Sequence, residues 1–310
     1  MAKILITEAV HENGPKMLQE AGHEVIAVNR DMAVIEKEIR DADAVLTRIL
    51  DLPVSLLETA KNLKIISKHG VGYDNIPIEY CREKGICVTI TPGANGLSVA
   101  EHAFTLMLTL SKNIVPVAQG YREKGFIAKT YAPGTEVTGK TVGIIGLGKI
   151  GTIFSGLCRG FGLNVLAYDP YVHEAPDNVT LTDDLEGMLG KVDYLTLHPI
   201  LTDETRKMIN KERLACMKPS AILINTARGP IVDEAALIEA LENGKIAAAG
   251  LDVTDPEPVS PDSPLFKMPN VIVTPHFAAT TREAAIRVST VAAQNILSFY
   301  KGEPIEGRIV

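Results

Sequence analysis

The chain has 310 residues, of which 46% are apolar and 22% charged, and its formal net charge is −7. That is long enough for two folded domains and too apolar for a disordered chain. The acidic balance, without any Lys/Arg-rich run, argues against a nucleic-acid partner. No apolar run approaches the roughly 20 residues that cross a bilayer, and residues 1–7 read as a strand that begins at once, not as a leader. The four cysteines (Cys81, Cys87, Cys158, Cys216) show neither disulfide density nor a Cys-x-x-Cys pair. They are expected to be reduced thiols in a cytoplasmic protein that has no metal site.

Short runs rich in Ile, Val and Leu at 3–7, 24–28, 44–47, 64–68 and 86–90 read as buried strands. Helical patterns at 14–21, 32–40, 54–60 and 78–84 alternate with them, punctuated by Gly22, Pro53 and Gly85, with Asp51 as a possible helix cap. Residues 97–111 are apolar on most sides, which suits a helix buried between domains or subunits. A second series of strands follows at 141–145, 164–168, 192–197, 221–225, 247–252 and 271–274. A last helix, 282–300, is expected to return to the first domain. Alternation of this kind predicts an α/β protein with two doubly wound parallel sheets. The expected division is 1–97 plus 282–310 for one domain and 98–281 for the other.

The strand at 141–145 runs into Gly146-Leu-Gly148-Lys149-Ile150-Gly151 and then a helix pattern. In a Gly-x-Gly-x-x-Gly turn of the Rossmann type, the first glycine makes the tight turn and the second admits a pyrophosphate. The third lets helix pack on strand, and the helix N-terminus faces the phosphates. The next strand ends in Asp169, 18 residues after Gly151, where a carboxylate can accept from ribose hydroxyls and would repel a 2′-phosphate. NAD is therefore expected over NADP.

Three residues in the last third carry the chemistry: Arg228 in Asn-Thr-Ala-Arg228-Gly, Glu257 between Pro256 and Pro258, and His276 after Thr274-Pro275. A fork-shaped guanidinium can hold a carboxylate and polarise a neighbouring carbonyl. An imidazole can give and take a proton near neutral pH, and a carboxylate can orient it and stabilise its charged form. Taken singly, each has a plainer reading: a surface ion-pair partner, a turn residue, a capped loop histidine. His102 and His198 are read as structural, the first packed within its helix and the second lining the cofactor site, and His69 is left open.

The stretch Met217-Lys-Pro-Ser-Ala-Ile-Leu-Ile-Asn225-Thr226-Ala227-Arg228-Gly229-Pro-Ile-Val-Asp233 resembles the signature of the D-isomer-specific 2-hydroxyacid dehydrogenases. Lys68-His-Gly70-Val71-Gly72-Tyr-Asp-Asn75, Ser98-Val-Ala-Glu-His102, the glycine loop, Ala249-Gly-Leu-Asp252 and Thr274-Pro-His276 join it in order, so the likeness covers the whole chain. It implies a flavodoxin-like substrate domain, a Rossmann NAD-binding domain and an active site in the cleft between them. Catalytic Arg228, Glu257 and His276 follow from it, with cofactor contacts from His198, Thr226, Ala227 and Asp252. The backbone at Gly70, Val71 and Gly72 would bind the substrate carboxylate. Two departures stand out: Leu197-His-Pro199 shifts a proline by one place, and Phe277-Ala-Ala follows His276, altering the wall beside the proton donor.

Arg48, ending the third strand, sits where phosphoglycerate-type members place a basic residue, and Lys129 approximates a second cation. The leading expectation is thus a D-3-phosphoglycerate dehydrogenase-like enzyme in a short form without an appended regulatory domain. A glyoxylate/hydroxypyruvate reductase or broad D-2-hydroxyacid dehydrogenase is the alternative, and an NAD-sensing corepressor on the same scaffold is an alternative of another class. The helix at 97–111 and the family habit suggest a homodimer.

Overall fold

The computed structural model describes residues 1–130 and 133–310. They fall into two compact units, Met1–Asn95 with Ala279–Val310, and Gly96–Ala278.

In the first unit the chain runs β1 (Lys3–Ile6), α1 (Asn13–Glu20), β2 (Glu24–Ala27), α2 (Met32–Glu38), β3 (Ala44–Thr47), α3 (Val54–Leu57), β4 (Ile65–Lys68), α4 (Ile78–Lys84) and β5 (Cys87–Thr89). The five strands pair in parallel in the order β2-β1-β3-β4-β5, the doubly wound order of flavodoxin-like sheets. β3 and β4 are buried along their whole length, as expected of strands covered by helices on both faces. Asp31 caps α2 by accepting from Val34 N–H, and α4 stops at Gly85 in the left-handed conformation. Asp51 does not cap α3. The chain is still extended at Pro53, which stands at the N-cap without a side-chain bond, so Asp51 falls two positions too early.

The second unit contains α5 (Gly96–Ser111), α6 (Ile114–Lys124), β6 (Thr141–Ile145), α7 (Lys149–Gly160), β7 (Asn164–Tyr168), β8 (Val179–Leu181), α8 (Leu185–Leu189), β9 (Tyr194–Leu197), α9 (Lys211–Cys216), β10 (Ile222–Asn225), α10 (Glu234–Glu242), β11 (Ala248–Leu251) and β12 (Val271–Val273). Its seven parallel strands follow the order β12-β11-β10-β9-β6-β7-β8. The order reverses between β6 and β9, the switch point at which open α/β sheets take ligands. β8 goes unread in the sequence because it is a half-exposed edge strand of three residues, paired only with β7. α5 is buried through Ala100, Ala103, Phe104, Leu106, Met107 and Leu110, which share a core layer with Ile144, Phe154 and Ile224.

The last helix, α11 (Arg282–Lys301), lies in the first unit. Its Ala292, Ala293, Ile296 and Leu297 pack with Ile4, Ile6, Leu18 and Leu46. Among the described residues no helix is long and apolar enough to cross a membrane.

Candidate active site

Because every strand of the second sheet is parallel, the residues that follow the strands gather along one edge. Gly146, Asp169, His198, Thr226, Asp252 and Thr274 are each the first residue past the end of β6, β7, β9, β10, β11 and β12, respectively. Four of these were expected from sequence as cofactor contacts in addition to the Gly146 turn, and the fold sets all of them on the same edge.

The glycine loop has the geometry its spacing implies. Gly146 has φ +88°, and Gly148 is the N-cap of α7 with open space where a Cβ would stand. A Cβ on Gly151 would lie 2.2 Å from Gly146 O, so helix and turn meet at a distance only glycine permits. Lys149 and Ile150 form the first turn of α7. Asp169 binds the loop directly: its Oδ2 accepts from Leu147 N–H at 2.8 Å and its Oδ1 from Tyr171 N–H at 3.0 Å. Each carboxylate oxygen retains a second lone pair for a hydroxyl donor. The Thr226 hydroxyl is buried without a hydrogen-bond partner among the described residues, an orphan suited to a polar ligand. His198 donates to or accepts from Thr196 Oγ1 at 3.0 Å and lies against Phe154. Burial pushes its imidazole down to about 3, so it is a neutral wall and not a cation.

Arg228 follows β10 on a loop shaped by Asn225, which is 1% exposed. Asn225 Oδ1 accepts from Ala227 N–H at 3.0 Å, and its Nδ2 donates to Arg228 O at 2.9 Å. The guanidinium Nη1 donates to Ala227 O at 2.7 Å. Gly229 then starts a short 3₁₀ turn.

His276 and Glu257 meet: Nδ1 lies 2.7 Å from Glu257 Oε1. An ionised carboxylate can only accept, so Nδ1 carries the hydrogen and Nε2 is left to exchange a proton. His276 adopts φ +52°, unusual for a residue with a Cβ. Its N–H donates to Asp252 O at 2.8 Å. The Asp252 carboxylate accepts from Phe277 N–H at 2.7 Å, Ala278 N–H at 2.8 Å and the Thr274 hydroxyl at 2.5 Å. Burial opposes its charge, but these bonds and that of His102 prevail and hold it below the usual carboxylate range. His102 does not pack within its own helix; its Nε2 reaches Thr274 Oγ1 at 3.1 Å.

In the first unit, Arg48 follows β3 on a loop with its own clamp. Glu8, 4% exposed, follows β1; its Oε2 accepts from Arg48, Ile49 and Leu50 N–H at 2.7, 2.7 and 3.0 Å, and its Oε1 accepts from the Arg30 guanidinium. Lys68 Nζ donates to Arg48 O and to Asn75 Oδ1, and Asn75 Nδ2 donates to Leu50 O. Burial opposes charge on Glu8, yet the three N–H groups and Arg30 keep its carboxyl below the ordinary value. His69 is pushed down to about 4 by burial and by the charge of Arg48. Gly70 has φ +144°; its carbonyl accepts from Thr91 N–H at 2.9 Å and its own N–H donates to Lys68 O at 3.0 Å, with Val71 and Gly72 next in the loop. Lys129, in the second unit, holds its ammonium over the Phe126 ring at 4.3 Å.

Sequence reasoning passed over Glu8, Lys68, Asn75 and Asn225 as site residues. The signal for Glu8 was a carboxylate directly after an apolar strand, at a position that topology sets beside β3.

The model of D-isomer specific 2-hydroxyacid dehydrogenase, NAD binding domain, matches residues 104–278. The chain is 41% identical over 310 residues to D-3-phosphoglycerate dehydrogenase of Methanocaldococcus jannaschii, covering 99% of this chain and 59% of that protein. It is 40% identical to glyoxylate reductase of Thermofilum pendens, covering 97% and 92% of the two chains. Among solved structures, D-lactate dehydrogenase from Aquifex aeolicus complexed with NAD and lactic acid superposes with a TM-score of 0.87 at 32% identity, over 97% of this chain and 96% of that one. The chain thus spans 59% of the length of the phosphoglycerate dehydrogenase it matches.

Proposed function

The chain belongs to the D-isomer-specific 2-hydroxyacid dehydrogenase family, and from that premise we propose that it exchanges a hydride between NAD and C2 of a D-2-hydroxy acid. The observation that carries the reading is the 2.7 Å contact of His276 Nδ1 with Glu257 Oε1, in the unit that also bears the glycine loop and Arg228. The residues fit the cofactor, through the open approach at Gly148, the orphan Thr226 hydroxyl and the Asp169 carboxylate. When bound, NAD supplies the acceptor or source of hydride.

His276 delivers its Nε2 proton to the carbonyl oxygen during reduction and recovers it during oxidation, while Glu257 stabilises the imidazolium and keeps Nδ1 protonated. Arg228 binds the substrate carboxylate with its planar fork and polarises the adjacent carbonyl, which favours the alkoxide-like transition state. Val71 and Gly72 are proposed as backbone donors to the substrate, whereas the Gly70 N–H expected beside them already donates to Lys68 O at 3.0 Å. Asp169 favours NAD over NADP by repelling a 2′-phosphate.

For the substrate, we favour a phosphorylated three-carbon acid of the 3-phosphoglycerate type. The support is Arg48, held by Glu8 and Lys68 at the end of β3, and the identity to phosphoglycerate dehydrogenases. Glyoxylate or hydroxypyruvate is the second reading, favoured by 40% identity over 92% of a glyoxylate reductase. Comparing kcat/KM for 3-phosphohydroxypyruvate, hydroxypyruvate and glyoxylate separates them. A strong preference for either unphosphorylated acid overturns the first reading, and no NADH oxidation with any of them overturns both. A homodimer is part of the proposal: Ile114, Val115, Tyr121, Phe126 and Ile127 are exposed together along α6 and the turn after it, an apolar density that monomers seldom leave uncovered.

A further inference from the structure

A chain of polar contacts behind His276 begins on α5. His102 Nε2 lies 3.1 Å from Thr274 Oγ1 and 3.5 Å from Asp252 Oδ1. Thr274 Oγ1 lies 2.5 Å from Asp252 Oδ1. Asp252 is 1% exposed and ionised, so it only accepts. The Thr274 hydroxyl has one proton, which goes to Asp252, and its oxygen must therefore accept from His102. That places a hydrogen on His102 Nε2 and gives the relay a direction: His102 to Thr274 to Asp252. Hydrogen bonds in such a series polarise one another, and those ending on a charge are the stronger ones.

The relay ends on the backbone around the proton carrier. The Asp252 carboxylate takes the N–H groups of Phe277 and Ala278, and the Asp252 carbonyl takes that of His276. His276 stands between these anchors with φ +52°. A left-handed conformation disfavours a residue with a Cβ, and it persists only where the surroundings over-determine it. Asp252 over-determines it at three consecutive N–H groups. His102 adds a second hold, because its ring meets the Phe277 ring edge-on at 6.1 Å.

We infer that His102 is a positioning residue: through Thr274 and Asp252 it locks the left-handed turn on which His276 is mounted, and so sets the direction in which Nε2 is presented. The inference rests on the reading of His276 as the proton carrier, and two different measurements keep them apart. Hydrogen exchange of the 274–278 segment, in the full chain without cofactor, reports the lock itself. Steady-state kinetics with the best keto acid of the panel, beside a Kd for NADH, report its consequence.

In His102→Leu, exchange across 274–278 is expected to rise about tenfold or more, the loss expected when a hydrogen bond feeding a buried charge is removed. kcat should fall by a similar factor while the NADH Kd stays within about twofold, because the glycine loop, Asp169, His198 and Thr226 are untouched and Asp252, the expected cofactor contact within the relay, keeps its bonds to Phe277 and Ala278 N–H. His102→Gln, whose side-chain amide N–H replaces Nε2–H, should restore both readouts to within about threefold of the parent protein. If His102→Leu does not fold, Thr274→Val breaks the same relay with little change in volume and should give the same pattern. Unchanged exchange and kcat in the Leu variant overturn the inference, and so does an equal loss in Leu and Gln. Should His276→Ala leave kcat intact, the reading of His276 fails, while the exchange data still decide whether His102 locks the turn.

Discussion

Gly229 packs against Thr254 so closely that a Cβ added to Gly229 would lie 1.9 Å from the Thr254 carbonyl oxygen. The contact joins the loop that presents Arg228, after β10, to the segment that leads from β11 to Glu257. Two of the three proposed catalytic side chains are thus set relative to one another through a glycine that carries no chemistry.

Replacing that glycine tests the join. Gly229→Ala should destabilise the 96–278 unit by about 1–3 kcal/mol, the usual cost of forcing a methyl group against backbone. It should also lower kcat/KM, because the two loops must part. A urea titration read beside turnover checks this; a variant with unaltered midpoint and activity would show that the loops adjust freely.

His276→Ala should reduce kcat by a factor on the order of 10² or more, as for loss of a general acid, with NADH binding retained. Glu257→Gln keeps a hydrogen-bond acceptor at the same place but removes the charge that stabilises the imidazolium. It should therefore retain more activity than His276→Ala while staying below the parent at every pH. Single-turnover measurements with saturating NADH separate these effects on the chemical step from product release.

Asp169→Ser removes the carboxylate that would face a 2′-phosphate. The ratio of kcat/KM with NADPH to that with NADH should rise by about tenfold or more, since one repulsive contact of this kind is worth more than 1 kcal/mol. Because Asp169 also accepts from Leu147 N–H, some loss of NADH affinity should accompany the switch. An unchanged ratio would remove Asp169 from the discrimination.

Acid should reveal Glu8. Its folded carboxyl lies below the ordinary value of 4.5, so its contribution is complete above about pH 4.5 and is lost as the pH falls through the folded value. Glu8→Gln should be less stable at pH 7 by about 1–3 kcal/mol, because three N–H groups lose a charged acceptor. Below pH 4.5 the gap between variant and parent should close. Denaturation midpoints across the acid range test this, and a constant gap would mean that Glu8 does not titrate with unfolding.

Much of this was legible in the sequence for a local reason. Strands such as 44–47, 141–145 and 164–168 carry apolar runs bounded by turn residues, so their limits agree with the structure residue for residue. The glycine loop was legible because each glycine answers a backbone demand that only glycine meets. β8 was not, because a short half-exposed edge strand has neither periodicity nor an apolar run. Asp51 misled because cap chemistry is right only at the position where the helix actually starts.

The sequence by itself determined the two alternating series of strands and helices and the Gly146–Gly151 turn, which residue type and spacing carry, and through the family resemblance it nominated Arg228, Glu257 and His276. Tertiary structure alone decided which buried groups hold these residues in place. That Glu8 closes on residues 48–50, that Asn225 shapes the Arg228 loop, and that His102 reaches Asp252 through Thr274 depend on pairs 40 to 172 residues apart, or on loop geometry. A hydrogen bond is specified by the positions of two groups in space, and only the strand order and register of the folded sheets bring such distant groups together.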